Sequence, residues 1–533
     1  MAYIDGLLPP AGPAPEARDH QAADEATALA VTALLNCLLR EVAEPATAED
    51  GVWVLPATGH VLHVRPGRYP GAPALRTPGG PRPLSLAGLV ALTEDELRAR
   101  TGHANPSLAK EIMESRDVMA ALLSAQRATT PPADLYLRSE QALVAGHRYH
   151  PAPKARGGSG PDAWLPYSPE ARASFALPLL GVPAEALVEQ GDASALDRLG
   201  PPAPDGLTLL PAHPWQVELL GGLREQRHLG LTPERAVATA SIRTVYLPEA
   251  DLFCKFSLDV RITNDIRRLW LHDLRWLGLI DDLLGAAFDD LPEHRPRPAV
   301  LGDRGYRSLE LGGDGGEALA VIVRDGLGGH LRPGLTALLA AGVSEGFPGN
   351  PLDGLDAGQA LGWWRRYLDH VVPPVLHAYF RHGVVLECHL QNVLIGVDAR
   401  GLPGQAIFRD HEGVKLTADR HSLPGARTPV VSPAYGWERL LYCLVVNNLC
   451  EIAGAVAERH PELRAELWTE LWTEARSVFA GCAEDHGEPE ELRDLLAAAS
   501  VPAKANLLLR WLEADGADMR CVPMPSPLRL FTP

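Results

Sequence analysis

Between residues 387 and 412, six polar side chains interrupt a segment otherwise made of apolar runs: Glu387, His389, Gln391, Asn392, Asp410 and Glu412. Two carboxylates beside a His/Asn pair form a hard-oxygen set that suits Mg2+ and phosphate oxygens better than Zn2+. One His or Asn at a strand end is ordinarily a satisfied structural residue, so it is the concentration that points to a site. A second concentration lies at 241–267. There Ser241, Arg243, Lys255 and Arg267 are spaced so that strand ends and a helix start converge cationic donors on one anion. A third is the basic loop with His147, His150, Lys154 and Arg156, followed by the glycine-rich 157–160, which reads as a cover over a polyphosphate. The His/Pro/Trp cluster at 211–216 reads as a packed turn.

The elements that must position these groups follow from periodicity. Apolar runs at 384–386, 393–397 and 406–408, with turn residues at 398–404, predict a β-hairpin. Glu387, His389, Gln391 and Asn392 would alternate along an extended segment at its base, and Asp410 and Glu412 would repeat the alternation on the return strand. Residues 244–247 and 252–256 read as antiparallel strands across the Pro248 turn. Thr263 reads as a helix start, with Asn264 and Asp265 in its first turn. Upstream, the spacing predicts a helix over 22–42, strands at 52–55 and 61–64, a capping box at Thr93 and Glu96, and a helix from Ser107 to about 126. Downstream, a strand at 318–324 lies between glycine-rich turns at 312–316 and 326–329. Neither a P-loop nor a complete G-x-G-x-x-G is present. Past a boundary near 350, a helix carrying Trp363, Trp364 and Tyr367 is expected to be interrupted by Pro373 and Pro374. Helices are expected again at 437–456, 461–479 and 503–513.

Composition bounds the partners. The 533 residues carry a net charge of -18, which disfavours a nucleic-acid surface or an anionic membrane, so an anionic ligand must be drawn in by a local basic cluster. With 46% hydrophobic and 22% charged residues the chain is globular in character. Seven cysteines without a C-x-x-C pair fit a reducing cytoplasm. The Pro/Ala-rich first 20 residues read as poorly ordered, without the basic and apolar regions of a signal peptide, and no apolar run reaches about 20 residues. A soluble cytoplasmic protein is expected.

Taken together, GHRYHPAPKARGG, YSPE, HPWQ, SIRT with Lys255, ITNDIRRL, ECHLQNVLI and RDHEG, in that order over roughly 139–416, with AKANLLLRWL and PSPL near the end, form a specific pattern. The chain resembles the NRPS-independent siderophore synthetases, the aerobactin synthetase (IucA/IucC-like) family. The resemblance implies an α+β, three-domain cupped hand: a thumb at 1–135, fingers at 136–348, and a helical palm around the β-hairpin at 349–533. It also implies ATP and Mg2+ as cofactors, a polycarboxylate donor, most often citrate, an amine or alcohol acceptor, and a homodimer. The implied reaction is attack of the carboxylate on the α-phosphate of ATP, followed by displacement of AMP.

Carried onto the matching positions, Ser241, Arg243, Thr244 and Lys255 hold the phosphates, with His150 and Lys154 beside them. Arg267 and His389 meet nucleotide and carboxylate, with Thr263 as a further donor contact. Gln391 and Asn392 line the nucleotide side, and Asp410 and Glu412 bind Mg2+. A kinase-like phosphotransferase shares the His389/Asn392 pair and an acidic residue across a hairpin, but it lacks its H-x-D-x-x-x-x-N pattern here. A non-catalytic nucleotide- or siderophore-binding module would bind without turnover.

Overall fold

The computed structural model describes residues 15–46, 50–221, 227–262, 265–309, 316–425, 427–514 and 519–529. It divides into two compact units, Met1–Thr130 with Val144–Pro161, and Pro131–Leu143 with Asp162–Pro533. Helices and antiparallel sheets occupy separate stretches, so the fold class is α+β.

In the first unit, helix Pro15–Glu41 packs on Ser107–Arg127. Its buried stripe, Ala22, Ala26, Ala30, Ala33, Leu34, Cys37 and Leu38, follows the helical period, and the small alanines permit close approach. A five-stranded antiparallel meander, from Glu44–Pro45 to Gly80–Pro83, follows. The expected capping box is not used as a cap. Helix Leu86–Thr101 starts a full two turns earlier at Ser85, whose Oγ accepts from Gly88 N at 3.2 Å. Glu96 lies within the helix, where its carboxylate accepts from Ala57 N and Thr58 N at 2.9 Å each. A distant loop claims the carboxylate that a local pattern assigned to a cap.

The second unit is built on a seven-stranded antiparallel sheet. Its strands run, in spatial order, Ser174–Phe175, Ala236–Ala238, Thr244–Leu247, Leu252–Phe256, Val321–Asp325, Asp303–Leu309 and Leu187–Gly191. The expected pair at 244–256 is present, in the register Thr244↔Lys255 and Tyr246↔Phe253. The expected hairpin is present as well, with Val393–Val397 antiparallel to Pro403–Phe408. A small apolar core of Tyr136, Tyr246, Phe253, Leu339, Leu394 and Ile407 joins one face of the large sheet to the hairpin's own sheet.

The larger core gathers around helix Ala357–His382, with Trp363, Trp364, Tyr367 and Leu368 fully buried. Pro373 and Pro374 do not interrupt this helix. They remove two backbone donors, but Val371, Val372, Val375 and Leu376 around them are completely buried, and that packing outweighs the loss. At the C-terminal end, residues expected as one helix form strand Ser500–Lys504 and then helix Asn506–Trp511.

The expected helix at Thr263 is instead a strand pair, Leu258–Ile262 against Asp265–Arg267, and the next helix begins at Leu271. Asn and Asp serve turns as readily as helix caps, and the pairing of Leu258–Ile262 with Asp265–Arg267 wins here. Thr263 and Asn264 themselves lie outside the described residues, as does most of the 312–316 turn. Leu327 N and Gly328 N, in the other glycine-rich turn, donate to the Asp251 carboxylate at 2.9 and 2.8 Å, so that turn is already satisfied.

Among the described residues, two helical stretches are long and apolar enough to cross a membrane, Asp19–Glu41 and Pro433–Glu458. The second is packed almost wholly inside the core of its unit, which accounts for its apolar character.

Trp364 stacks on Tyr367, meets Trp472 edge-on, and donates Nε1–H to Leu471 O at 2.7 Å. Trp364→Ala is expected to cost about 3–5 kcal/mol of stability, as large cavities do. Trp468→Ala, at a partly exposed position, should cost far less. Urea unfolding followed by circular dichroism checks both, and equal midpoints for the two variants would contradict this account of the core.

Candidate active site

The register of the large sheet decides where its cations go. Thr244, Lys255 and Ile322 pair across three strands, and Phe253, Arg324 and Asp303 form the next row, so Lys255 and Arg324 project from the same face. Arg324 is held by Asp303 through a two-pronged pair, Nε–Oδ1 at 2.6 Å and NH2–Oδ2 at 3.2 Å. Its NH2 also reaches Asp410 Oδ1 at 3.1 Å. The Lys255 ammonium donates to Asp410 Oδ1 and, at 2.5 Å, to Glu412 Oε2. Arg243 NH2 reaches the same Glu412 oxygen at 3.4 Å, and its NH1 donates to Arg267 O at 3.0 Å. Three cations and three carboxylates thus neutralise one another in one seam of the second unit.

Two backbone positions in this seam are strained. Ile242, a buried β-branched residue, has φ 62°, and Asp410 has φ 70°. The first directs Ser241 and Arg243 from a turn closed by Thr244 N donating to Ser241 Oγ at 3.1 Å. The second ends the return strand, because Asp410 and Glu412 lie past Phe408 in a short 3-10 turn at His411–Gly413 rather than on the strand as expected. Left-handed backbone at Asp410 breaks the alternation, and that break turns both carboxylates toward Lys255. Gly413 leaves room for Glu387: a Cβ would sit 1.7 Å from its Oε2 and displace that carboxylate.

The segment 387–392 is likewise a loop rather than an extended strand, closed by Asn392 N donating to His389 O at 2.9 Å. It is secured at four points. Asn392 Nδ2 donates to Glu387 O at 3.0 Å, and Arg439 donates to Glu387 Oε1 at 2.8 Å. Asn448 Nδ2 donates to Cys388 O at 2.9 Å, and Arg409 donates to Gln391 O through Nε and NH2 at 3.1 and 3.0 Å. Asn448 sits in a π-helical stretch, Tyr442–Leu449, and accepts from the Tyr367 hydroxyl at 2.7 Å. Arg409 is in turn paired with the fully buried Glu140, whose Oε2 also accepts from Ala240 N at 3.0 Å, beside Ser241. Glu140 therefore ties the turn that carries Ser241 to the residue before Asp410.

Of the residues singled out from sequence, the structure brings Ser241, Arg243, Thr244, Lys255, Asp410 and Glu412 into this seam. Arg267 and His389 stand within electrostatic reach of each other. Asn392 is committed to supporting the loop, and Gln391 contributes its carbonyl to the Arg409 contact. His150 and Lys154 belong to the first unit. There His150 Nδ1 accepts from Ala152 N at 3.1 Å, and Lys154 N donates to Ser115 Oγ at 2.9 Å. Not anticipated were Arg324, Asp303, Arg409, Glu140, Arg439 and Asn448. The one signal available was a buried type in an apolar run: Arg324 inside VIVRD and Asn448 inside LVVNNL.

Burial opposes ionisation of Asp410, but Lys255 and Arg324 outweigh it and hold the carboxyl well below the usual range. At His389 burial wins: it lowers the pKa, only partly countered by the charges of Glu387 and Asp410, so the imidazole stays neutral at pH 7. The fit to phosphate and Mg2+ rests on two features. The buried Thr244 hydroxyl, facing the same way as Lys255, has no hydrogen-bond partner. The two carboxylates already converge on one cationic nitrogen, and Mg2+ is commonly held by one or two carboxylates plus substrate phosphates.

Comparison with known proteins agrees with this architecture. Residues 135–345 match the IucA / IucC family, and residues 362–519 match the ferric iron reductase FhuF-like transporter family. The chain is 28% identical over 74% of its length, and 75% of the relative's, to an L-2,3-diaminopropanoate–citrate ligase from Staphylococcus aureus. It is 27% identical to the rhizobactin siderophore biosynthesis protein RhbC of Rhizobium meliloti, over 81% and 85% of the two chains. To a spermidine–citrate ligase from Bacillus anthracis it is 27% identical, over 71% and 70%. The structure superposes on ATP-bound aerobactin synthetase IucA from Klebsiella pneumoniae with a TM-score of 0.78 at 20% identity, covering 94% of this chain and 99% of that one. It superposes on the petrobactin biosynthesis protein AsbB from Bacillus anthracis with a TM-score of 0.74 at 16% identity, covering 97% and 98%. The fold is therefore that of the aerobactin-type synthetases. The chain is thus similar to the IucA / IucC family over residues 135–345, and to named citrate ligases and siderophore biosynthesis proteins over most of its length.

The electrostatics of the seam can be checked directly. His389 is expected to titrate below the ordinary histidine value of about 6.5, as read by NMR of histidine-labelled protein with His389→Gln to assign its signal. Because the folded-state pKa is lowered, protonation favours the unfolded chain as pH falls through that ordinary value. A midpoint at or above the ordinary value would contradict the described burial.

Proposed function

We propose that this chain is an ATP-dependent siderophore synthetase acting in the cytoplasm, which adenylates a carboxylate and condenses it with an amine or alcohol. Citrate or a citrate derivative is the donor, since the named relatives from Staphylococcus aureus and Bacillus anthracis are both citrate ligases. The observation that carries the reading is the ion cluster itself. Lys255 and Arg243 are aimed at a carboxylate pair beside an unbonded Thr244 hydroxyl, in a chain that is otherwise strongly acidic.

In the first half-reaction a donor carboxylate oxygen attacks the α-phosphorus, the bond to the bridging oxygen breaks, and pyrophosphate leaves with that electron pair. ATP and a polycarboxylate repel one another, so the step needs fixed cations that bring them together. Ser241, Arg243, Thr244 and Lys255 bind the phosphates. Arg267 and His389 orient the donor, Thr263 is proposed as a further donor contact, and Gln391 lines the nucleotide side on the loop that Asn392 supports. Asp410 and Glu412 would hold Mg2+, which when bound spreads the charge of the phosphate oxygens. In the second half-reaction the acceptor attacks the acyl carbon and AMP leaves. His389, being neutral, is able to accept a proton from the incoming amine or a hydrogen bond from a donor hydroxyl. The working assembly is proposed to be a homodimer, and the domains the fingers at 136–348 and palm at 349–533 with a thumb before them.

Product analysis tests the reading. With ATP, Mg2+, citrate and hydroxylamine as surrogate acceptor, the expected products are a citryl hydroxamate, AMP and pyrophosphate. ADP in their place would replace the synthetase with a phosphotransferase. Arg267→Ala and His389→Ala should each lose about 2–4 kcal/mol of transition-state stabilisation, read from kcat/KM for pyrophosphate release. Wild-type rates in both would remove these residues from the step.

A further inference from the structure

A second cluster of ligating side chains lies in the same unit and shares no residue with the Lys255–Asp410 seam. Asp290 caps the C-terminal end of helix Leu277–Asp289, and His377 and His382 stand in the last two turns of helix Ala357–His382. Their ligand atoms all lie within 4.8 Å of one another, the only such group of three among the described residues. The geometry converges on one oxygen: Asp290 Oδ2 is 3.2 Å from His382 Nε2 and 3.7 Å from His377 Nε2. Two ligands bonded to a common tetrahedral cation at about 2.0–2.2 Å stand roughly 3.3–3.6 Å apart, so both spacings are close to those of a filled site.

The second observation is His377 itself. It is 95% buried, with 5% of its surface exposed, and neither ring nitrogen makes a hydrogen bond. A buried imidazole in that state has lost its water without compensation, and such groups call for a partner. A salt bridge to Asp290 does not supply one. At 3.7 Å from Asp290 Oδ2, His377 Nε2 stands beyond hydrogen-bonding distance. A neutral imidazole with an available lone pair is the form that binds metal. His486 lies beside His377 with ring centroids 5.3 Å apart and the rings tilted by 44°, and both face an open hollow also lined by Asp290, Phe380 and Asp485. Arg381, whose Nε is 3.4 Å from the same Asp290 oxygen, is two-thirds exposed and able to turn outward.

We propose that Asp290, His377 and His382 form a binding site for a divalent transition-metal cation of the Zn2+ class, with a further coordination position open toward His486 and the hollow. Two imidazoles and one carboxylate are a borderline ligand set that selects such cations over Mg2+ or Ca2+. The site ties the end of helix Ala357–His382 to the end of helix Leu277–Asp289.

The test uses the full-length chain without a histidine tag, stripped with a chelator and dialysed. Co2+ is the probe, followed by visible absorption and back-titrated with Zn2+. The expected result is one equivalent of Co2+ with ligand-field bands of an ordered site, displaced by one equivalent of Zn2+, whose filled d shell loses no ligand-field energy in a tetrahedral site. His382→Gln and Asp290→Asn, both at partly exposed positions, should weaken Co2+ binding at least tenfold while leaving the circular dichroism spectrum unchanged. Asp410→Asn should bind Co2+ as the unaltered chain does. The proposal is overturned if no saturable equivalent is bound, if both cluster variants bind as before, or if binding is lost in Asp410→Asn and kept in His382→Gln.

Discussion

Charge neutrality in the seam between the large sheet and the hairpin turn is the constraint on which the arrangement of the second unit depends. Asp303, Asp410 and Glu412 stand close enough that none is tolerable there without a cation, and Arg324, Lys255 and Arg243 supply three. The cations come from strand positions whose register is fixed by pairing, while two of the carboxylates come from a turn just past Phe408. The hairpin therefore meets the sheet in the one orientation that places that turn over Lys255. The apolar contacts beneath, Tyr246 and Phe253 against Leu394 and Ile407, supply the adhesion, but they are non-directional, and the ion pairs select among the ways they could be satisfied.

A second buried pair extends the same logic. Arg409 and Glu140 are almost completely buried, and breaking such a pair leaves an uncompensated charge at a cost of about 3–5 kcal/mol. Glu140 also takes the amide of Ala240, and Arg409 also takes the carbonyl of Gln391. Three loops that are remote in sequence, around 240, 391 and 410, are thus referred to one ion pair. The Tyr367–Asn448–Cys388 chain holds the 387–392 loop from the helical side in the same way. A π-helical stretch is an expensive means of placing one Asn. Its use here indicates that the position of that loop matters more than the regularity of the helix.

Residues whose structure is set by neighbours in sequence were legible before the fold was known. The strand pair at 244–256 and the hairpin at 393–408 follow from period-two alternation and turn residues, and both are found. What failed did so where a distant partner overrode a local pattern. Glu96 resembled a cap but serves the 57–58 loop, and Asn264–Asp265 resembled a helix start where strands pair. Pro373–Pro374 resembled a break but lie in a helix clamped by the core. Asp410 and Glu412 were legible as a pair by type, yet their placement depends on a positive φ that only the surrounding contacts sustain. Arg409 and Glu140 were illegible because a buried ion pair spanning 269 positions leaves no periodic trace.

The cations of the seam are not equivalent, and the difference bears on the proposed chemistry. Arg324 is locked by a planar two-pronged contact to the buried Asp303, an arrangement that resists exchange. Lys255 carries a point charge on a flexible stem, and Arg243 touches Glu412 through a single long contact, so both are able to turn toward a phosphate, which leaves Glu412 to pair with an incoming cation. When they do, Asp410 retains Arg324, and the oxygens that Lys255 had occupied become free for a hard cation. On the proposed function, phosphate and cation binding are then linked through the same two carboxylates, and each must strengthen the other by the same factor. The closed ion cluster is in this view a stand-in for the ligands: Lys255 occupies the cation position and the carboxylates occupy the phosphate's share of Lys255.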